Sequence, residues 1–264
     1  MPSTTEITVS QLSRLIGLPH TPIIIDVRAD DEFADDPRLI PGARRQDSGT
    51  VATWATDYDR QTVIVVCQKG LQLSQGVGAW LRNQGIEAQT LEGGFLAWRA
   101  DEHLLIPAHK VPTRDPRGRT VWVTRARPKI VRIACPWLIR RFIDPQAAFL
   151  YVAPSEVMAV ADRFQATPFD ARGAFWDDRG DMCTFDVMIE EFDLRSDALG
   201  RLALIVRGAD TGQLQLTPQS PGLLAASLGY SRMYRDDLAQ LEAAMPLYDA
   251  FYRWCRDAVN ETHA

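Results

Sequence analysis

Apolar and polar positions follow two different rhythms along the chain. Up to about Pro107, short apolar runs alternate with stretches of helical spacing. "PIIIDVR" from Pro22 and "QTVIVVC" from Gln61 are too short for buried helices and too continuous for half-exposed strands, so they predict strands covered on both faces. Thr8 to Gln11 spells a capping box, which predicts a short helix through Ile16. Beyond Cys67, the apolar residues Leu73, Val77, Ala79, Trp80 and Leu81 predict a helix lying on the sheet, and "IEAQTLEGG" a third short strand with a glycine turn. Strands alternating with helices predict an α/β fold with a doubly wound parallel sheet.

Past Pro107 the rhythm changes. "HKVPTRDPRGRT", from His109, carries two prolines, a glycine and no apolar period, and marks a basic linker. "VWVTRARPKI" and "AAFLYVA" predict strands, but "SEVMAVADRF", "CTFDVMIEEF" and "LGRLALIVRGA" have helical spacing. Near the C-terminus Leu238, Leu241, Met245, Tyr248, Tyr252 and Cys255 recur at three- and four-residue steps, a buried stripe that Pro246 interrupts. The expected domains are residues 1–108 (α/β), a linker at 109–119, and an α-rich α+β domain at 120–264.

Composition narrows the class. At 264 residues and 46% hydrophobic content the chain can build one or two cores, no run approaches the length of a membrane span, and "MPSTTEITVSQ" lacks a signal pattern, so a cytoplasmic protein is expected. Cys67, Cys135, Cys183 and Cys255 form no CxxC pair, which argues for free thiols and against a zinc ribbon or disulfide scaffold. Lys110 to Arg141 holds ten basic residues against Asp115 alone, a net of +9 that leaves −14 for the rest of the chain. Such a block suits an oxyanion, a nucleic acid or an acidic surface, or simply a solvated linker and helix.

The candidate chemistry lies where the second strand ends. Cys67 stands between a strand and a helix N-terminus, where backbone N–H groups and the helix dipole favour an anion. A thiolate there is stabilised and nucleophilic at neutral pH. Lys69 adds a positive charge, and Gly70 permits a tight curl. Asp26 and Arg28, at the end of the first strand, suit an ion pair joining loops better than acid–base catalysis.

"CQKGLQ" resembles the six-residue active-site loop of the rhodanese sulfurtransferases. "IIIDVRADDEF", "LIPGA" and "LEGGFLAW" resemble further family motifs in the family's order, covering about residues 5 to 107. The resemblance implies a persulfide on Cys67, loaded by a thiosulfate-type donor, held by the amides of Gln68, Lys69, Gly70, Leu71 and Gln72, and collected by a thiophilic acceptor. No cofactor is implied. Two positions depart from the family: Gln72 stands where Arg is common, and Leu39 where His precedes Ile-Pro-Gly. A phosphatase of this fold needs a longer loop ending in Arg, which this chain lacks.

"TRARPKIVRIACPWLIRRFID", "FLYVAP", "GDMCTFD", "IVRGADT", "PGLLAASLG" and "YDAFYRWC" resemble the ChrB family, which implies a role in chromate resistance. Arg125, Arg127, Lys129, Arg132, Arg140 and Arg141 cluster in sequence, and Arg132, Arg140 and Arg141 are the candidate site for a tetrahedral oxyanion such as chromate. The opposing reading pairs these arginines with downstream acids. The family pattern has Asp at Val131 and His at Asp178 and Leu238, so no metal site is expected, although Asp178, Asp236 and Asp237 remain a hard-cation alternative. His20, His103, His109 and His263 lie elsewhere. Cys183, in a polar setting, is the cysteine expected to be a second redox thiol. The sequence thus predicts a sulfurtransferase acting through Cys67, against an alternative in which the fold is a scaffold for a sensor or regulator that binds chromate or DNA.

Overall fold

A computed structural model describes residues 5–261; the leader reading of Met1–Thr4 and the residue His263 lie outside them. The chain packs as two compact units, one comprising residues up to His109 with Arg141–Pro145, the other Lys110–Arg140 with the chain from Gln146 onward.

The first unit runs β1 (Glu6–Ile7), α1 (Val9–Leu15), β2 (Ile23–Asp26), α2 (Asp30–Asp35), β3 (Arg38–Leu39), β4 (Arg44–Arg45), α3 (Val51–Trp54), β5 (Thr62–Val66), α4 (Gln72–Asn83), β6 (Glu87–Leu91), α5 (Gly94–Ala100) and β7 (Ile106–Pro107). Five strands form a parallel sheet in the order β1-β6-β5-β2-β4, and β3 pairs antiparallel with β7. Thr8 caps α1 through the expected capping box. The central strand β5 is buried along Val63 to Val66, which is why its sequence is apolar without alternation. Ile25, Val27, Val63, Val65 and Cys67 share one face with Trp54, Tyr58, Val77 and Leu81. The buried face of α4 is Ser74, Val77, Gly78 and Leu81, a helical i, i+3, i+4, i+7 set; Ala79 and Trp80, expected on it, are exposed because they fall on the opposite side of that turn.

The second unit runs β8 (Val121–Arg125), α6 (Val131–Leu138), β9 (Ala148–Val152), α7 (Val157–Phe164), β10 (Thr167–Pro168), α8 (Thr184–Glu191), α9 (Asp197–Asp210), α10 (Ser220–Met233) and α11 (Asp237–Arg253). Its parallel sheet has the order β10-β8-β9, and helices make up most of the rest. Trp122, fully buried, packs edge-on to Phe169 and Trp176. Along α11, Leu241, Met245, Tyr248 and Tyr252 are buried, and Cys255 follows beyond its end. Leu238 departs from the expected stripe and is 47% exposed, since it sits in the first turn. Pro246 does not break the helix.

The stretch expected as a linker is ordered. Asp115 accepts the N–H groups of Arg117 and Arg119 and pairs with the Arg119 guanidinium, closing a turn bridged by Arg114 and Thr120. The Arg119 contacts hold the Asp115 carboxyl below its ordinary pKa. Among the described residues no helix is long and apolar enough to cross a membrane.

Candidate functional site

The thiol of Cys67 stands at the carboxyl end of the central sheet. The Val27 N–H donates to the Val66 carbonyl at 2.8 Å, so β2 and β5 stay paired up to the residue before it. From there the chain curls through Gly70, at φ +70°. A Cβ on Gly70 would lie 2.6 Å from the Leu91 carbonyl oxygen and 2.8 Å from the amide nitrogens of Gly93 and Gly94. A Cβ on Gly94, at φ +62°, would press closer still on the Cys67 carbonyl oxygen and the Gly70 nitrogen. Only glycine fits at both places, because the obstacles are main-chain atoms that cannot swing aside.

The same packing polarises the loop. Phe95 and Leu96, in the first turn of α5, donate their N–H groups to the carbonyls of Cys67 and Gln68 at 2.9 and 3.0 Å. The loop's carbonyls are thereby turned toward α5. Among the described residues, no backbone N–H from Gln68 to Gln72 meets a protein acceptor. A run of unpartnered amides ahead of a helix is a place for an anion.

Cys67 is 4% exposed and belongs to the buried apolar cluster that includes Val27, Val65 and Val77. The Ser74 hydroxyl lies 3.1 Å from the sulfur, and this hydroxyl also donates to the Leu71 carbonyl at 3.2 Å. Sequence reading passed over Ser74. Its signal was a lone hydroxyl among the apolar positions of the α4 face, one helical turn into the helix. Lys69, Leu71 and Gln72 stand exposed around the loop, and the Gln68 side-chain oxygen is buried without a partner.

Asp26 and Arg28 form a buried ion pair at 2.6 Å. The Arg28 guanidinium also donates to the carbonyls of Asp36 and Arg38 and lies 3.7 Å over the Phe95 ring. The guanidinium of this arginine thus joins the end of β2 to Asp36 and to Arg38 at the start of β3. Asp36 is itself held below its ordinary pKa, chiefly by the Arg38 hydrogen bond.

In the second unit the clustered arginines meet carboxylates. Arg125 and Arg132 both reach Asp170, at 2.7 and 3.2 Å, while Arg140 pairs with Glu242 at 2.6 Å and lies over Phe149. Arg127 binds the carbonyls of Ser231 and Tyr234, Lys129 is exposed, and Arg141 is half-buried. Of the residues expected to gather on an oxyanion, Arg132 and Arg140 thus meet different carboxylates. Asp170 was not anticipated as their partner; it follows β10 and is 3% exposed.

The acids regroup as well. Asp236 caps α11 through the Ala239 N–H, and Asp237 accepts the Arg127 N–H, so neither joins Asp178 in a cation site. Asp178 accepts the Thr184 N–H and hydroxyl, and the grouping that the described residues offer is Asp170, Asp177 and Asp178. Burial, with Asp170 and Asp178 nearby, pushes Asp210 up to about 6. Cys183, expected as the reactive exception, is 1% exposed; burial and the neighbouring Asp186 carboxylate push its thiol well up, so it is not a thiolate at neutral pH. That carboxylate accepts from Cys183 and, bidentately, from Arg207. Burial likewise raises Cys135, and Cys255 to about 11.

Comparison with known proteins places these features. Residues 122–255 match the family model for the ChrB C-terminal domain, and residues 8–101 match that for the rhodanese-like domain. Protein ChrB of Cupriavidus metallidurans is 36% identical over 149 residues, 55% of this chain; the match spans 44% of the length of that relative. The candidate sulfurtransferase YtwF of Bacillus subtilis is 29% identical over 97 residues, 36% of this chain and 91% of its own. Among solved structures, SSP1007 of Staphylococcus saprophyticus (29% identity, TM-score 0.33) and a rhodanese-like domain protein of Staphylococcus aureus (31% identity, TM-score 0.32) each align with 36% of this chain and with 92% and 90% of their own.

Proposed function

Because the chain belongs to the ChrB C-terminal-domain family and carries a rhodanese-like domain ahead of that region, we propose that it is a sulfurtransferase whose Cys67 carries a sulfane sulfur, working with a domain tied to chromate resistance. The observation that carries this reading is the loop after β5, whose unpartnered amides begin one residue beyond a thiol hydrogen-bonded to Ser74.

In the first step the Cys67 thiolate attacks the outer sulfur of thiosulfate. A new S–S bond forms, the S–S bond of the donor breaks, and its electron pair leaves with sulfite. In the second, cyanide or another thiophile takes the outer sulfur and returns the thiolate. The amides of residues 68–72 stabilise the anionic persulfide, and Lys69 attracts the donor. Ser74 orients the resting sulfur. Asp26 and Arg28 support the loops and take no proton.

The reading as a DNA-binding or oxyanion-sensing regulator has less behind it. Arg125, Arg132 and Arg140 already meet carboxylates, and Lys110 meets Glu191, which lowers the charge left for phosphate or chromate.

The test is thiosulfate-to-cyanide transfer by the wild type and by Cys67→Ser, with mass spectrometry of the Cys67 peptide. Gain of one sulfur atom on Cys67, and loss of turnover in the variant, are the expected results. A wild type that gains no sulfur and turns over no donor refutes the proposal.

A further inference from the structure

The parallel sheet of the second unit ends on β9, which among the described residues has β8 on one side and no strand on the other. The Ala148 N–H donates to the Thr120 carbonyl at 2.9 Å, and the Val152 carbonyl accepts the Ala126 N–H at 2.7 Å. A parallel ladder bonds every second residue of a strand to one neighbour. Ala148, Leu150 and Val152 therefore spend their main-chain groups on β8, and Phe149 and Tyr151 turn theirs outward. Among the described residues these outward N–H and C=O groups meet no protein partner. The strand, Ala-Phe-Leu-Tyr-Val in unbroken register with β8, has none of the lysines, prolines or bulges that usually blunt an edge.

A cavity of about 560 Å³ runs along this edge. Phe149, Leu150, Tyr151 and Val152 all line it, and because successive side chains point to opposite faces, a space that meets all four follows the strand itself. Val160 and Phe164 of α7 form one wall, on the face where Leu150 and Val152 pack. Arg235 to Leu238, at the start of α11, form the other. Phe164 and Leu238 are exposed, so apolar surface rims the opening. The charge is uneven, with Asp236 and Asp237 set against Arg235 alone. Asp237 Oδ2 accepts the Arg127 N–H at 3.0 Å, whereas Oδ1 is buried without a hydrogen-bond partner. A carboxylate oxygen left in that state favours an incoming cation.

We propose that this groove receives an extended segment of a partner protein, which adds to β9 as a further strand and carries lysine or arginine alternating with apolar residues. Pairing with the open main chain of Phe149 and Tyr151 supplies affinity. Side chains of the incoming strand alternate, so the apolar ones meet Leu150, Val152, Val160 and Phe164, and the cationic ones meet Asp236 and Asp237 on the α11 side. A second copy of this chain fits less well, because β9 itself holds no charge to offer those carboxylates. The surface is independent of the Cys67 reading and stands whatever the outcome there.

The experiment titrates the full chain into a fluorescent peptide, Thr-Val-Lys-Val-Lys-Val-Thr blocked at both ends, and follows anisotropy. The same peptide with glutamate for lysine should bind at least about tenfold more weakly. That gap should narrow severalfold in Asp237→Asn, which keeps an acceptor for the Arg127 N–H, and taking it as a ratio cancels general damage. Two further peptides, N-methylated at the valines or at the lysines, lose the amide donors of one edge each. One set should cost at least about tenfold and the other less than about threefold, a readout that needs no variant. Amide exchange at Phe149 and Tyr151 should slow on binding, while Leu150 and Val152, already bonded to β8, change less. No binding up to about 1 mM peptide, equal losses from the two methylated sets, a charge gap that Asp237→Asn leaves intact, or unchanged exchange overturns the proposal. So does a chain that sediments as a dimer with the Phe149 and Tyr151 amides already protected, since a second copy then holds the edge.

Discussion

Replacing Gly94 with Ala puts a methyl group into the joint between the Cys67 loop and α5. The new Cβ meets the Cys67 carbonyl and the Gly70 nitrogen at impossible distance, with the Gln68 carbonyl 2.9 Å away. Two costs add. Alanine in the left-handed region costs about 1–2 kcal/mol, and forcing main-chain atoms apart costs about 1–3 kcal/mol more. Gly85 separates them: it has φ +81° and nothing within 4 Å of its Cβ direction, so Gly85→Ala carries the first cost alone. The expected difference between the two variants is therefore about 1–3 kcal/mol, read by hydrogen-exchange mass spectrometry on peptides of the first unit. Sulfur transfer by Gly94→Ala should also fall at least about tenfold, because a displaced loop no longer aims its amides. If Gly94→Ala and Gly85→Ala match in both exchange and activity, the joint does not set the loop and the reasoning fails.

Ser74→Ala removes the polar neighbour of the thiol and should slow persulfide formation about five- to thirtyfold in single-turnover measurements, with little change in urea unfolding. Arg28→Met leaves the Asp26 carboxylate buried without its partner and should cost about 3–5 kcal/mol in urea unfolding, partly restored by Asp26→Asn in the double variant. Asp210 has a folded pKa raised from its ordinary 3.8 to about 6, so the folded state favours its protonated form. Its contribution is present below pH 4 and is lost as pH rises through 6, amounting to at most about 3 kcal/mol. Asp210→Asn keeps an acceptor for the Val131 N–H and should be the more stable protein at pH 7 by about 2 kcal/mol, with no advantage at pH 4, in paired thermal melts.

Much of the first unit was legible along the chain because its cues are local. The apolar runs at Ile23 and Val63 mark strands buried on both faces, Thr8 and Gln11 cap a helix within one turn, and the Cys-Gln-Lys-Gly order marks a turn into a helix. The same local view misplaced Trp80 and Leu238, since counting apolar residues does not say which arc of a helix meets a neighbour. It also left the basic block from Lys110 to Arg141 open between an oxyanion site and pairing with downstream acids, and could not name the partners. Those cations find partners such as Asp170, Glu191 and Glu242, which stand dozens of residues or more away in sequence and become neighbours only once strands and helices assemble.

By itself, then, the order of residues determined the strand and helix types, the position of the thiol at a strand end, and the two-family character of the chain. Tertiary packing decided that Gly94 locks Gly70, that Ser74 faces the sulfur, and that β9 stands at the edge of its sheet. The physical reason is range. Backbone preference and apolar period act over a few residues, whereas a site needs groups from several elements within a few ångströms of one another, and only the fold sets that distance.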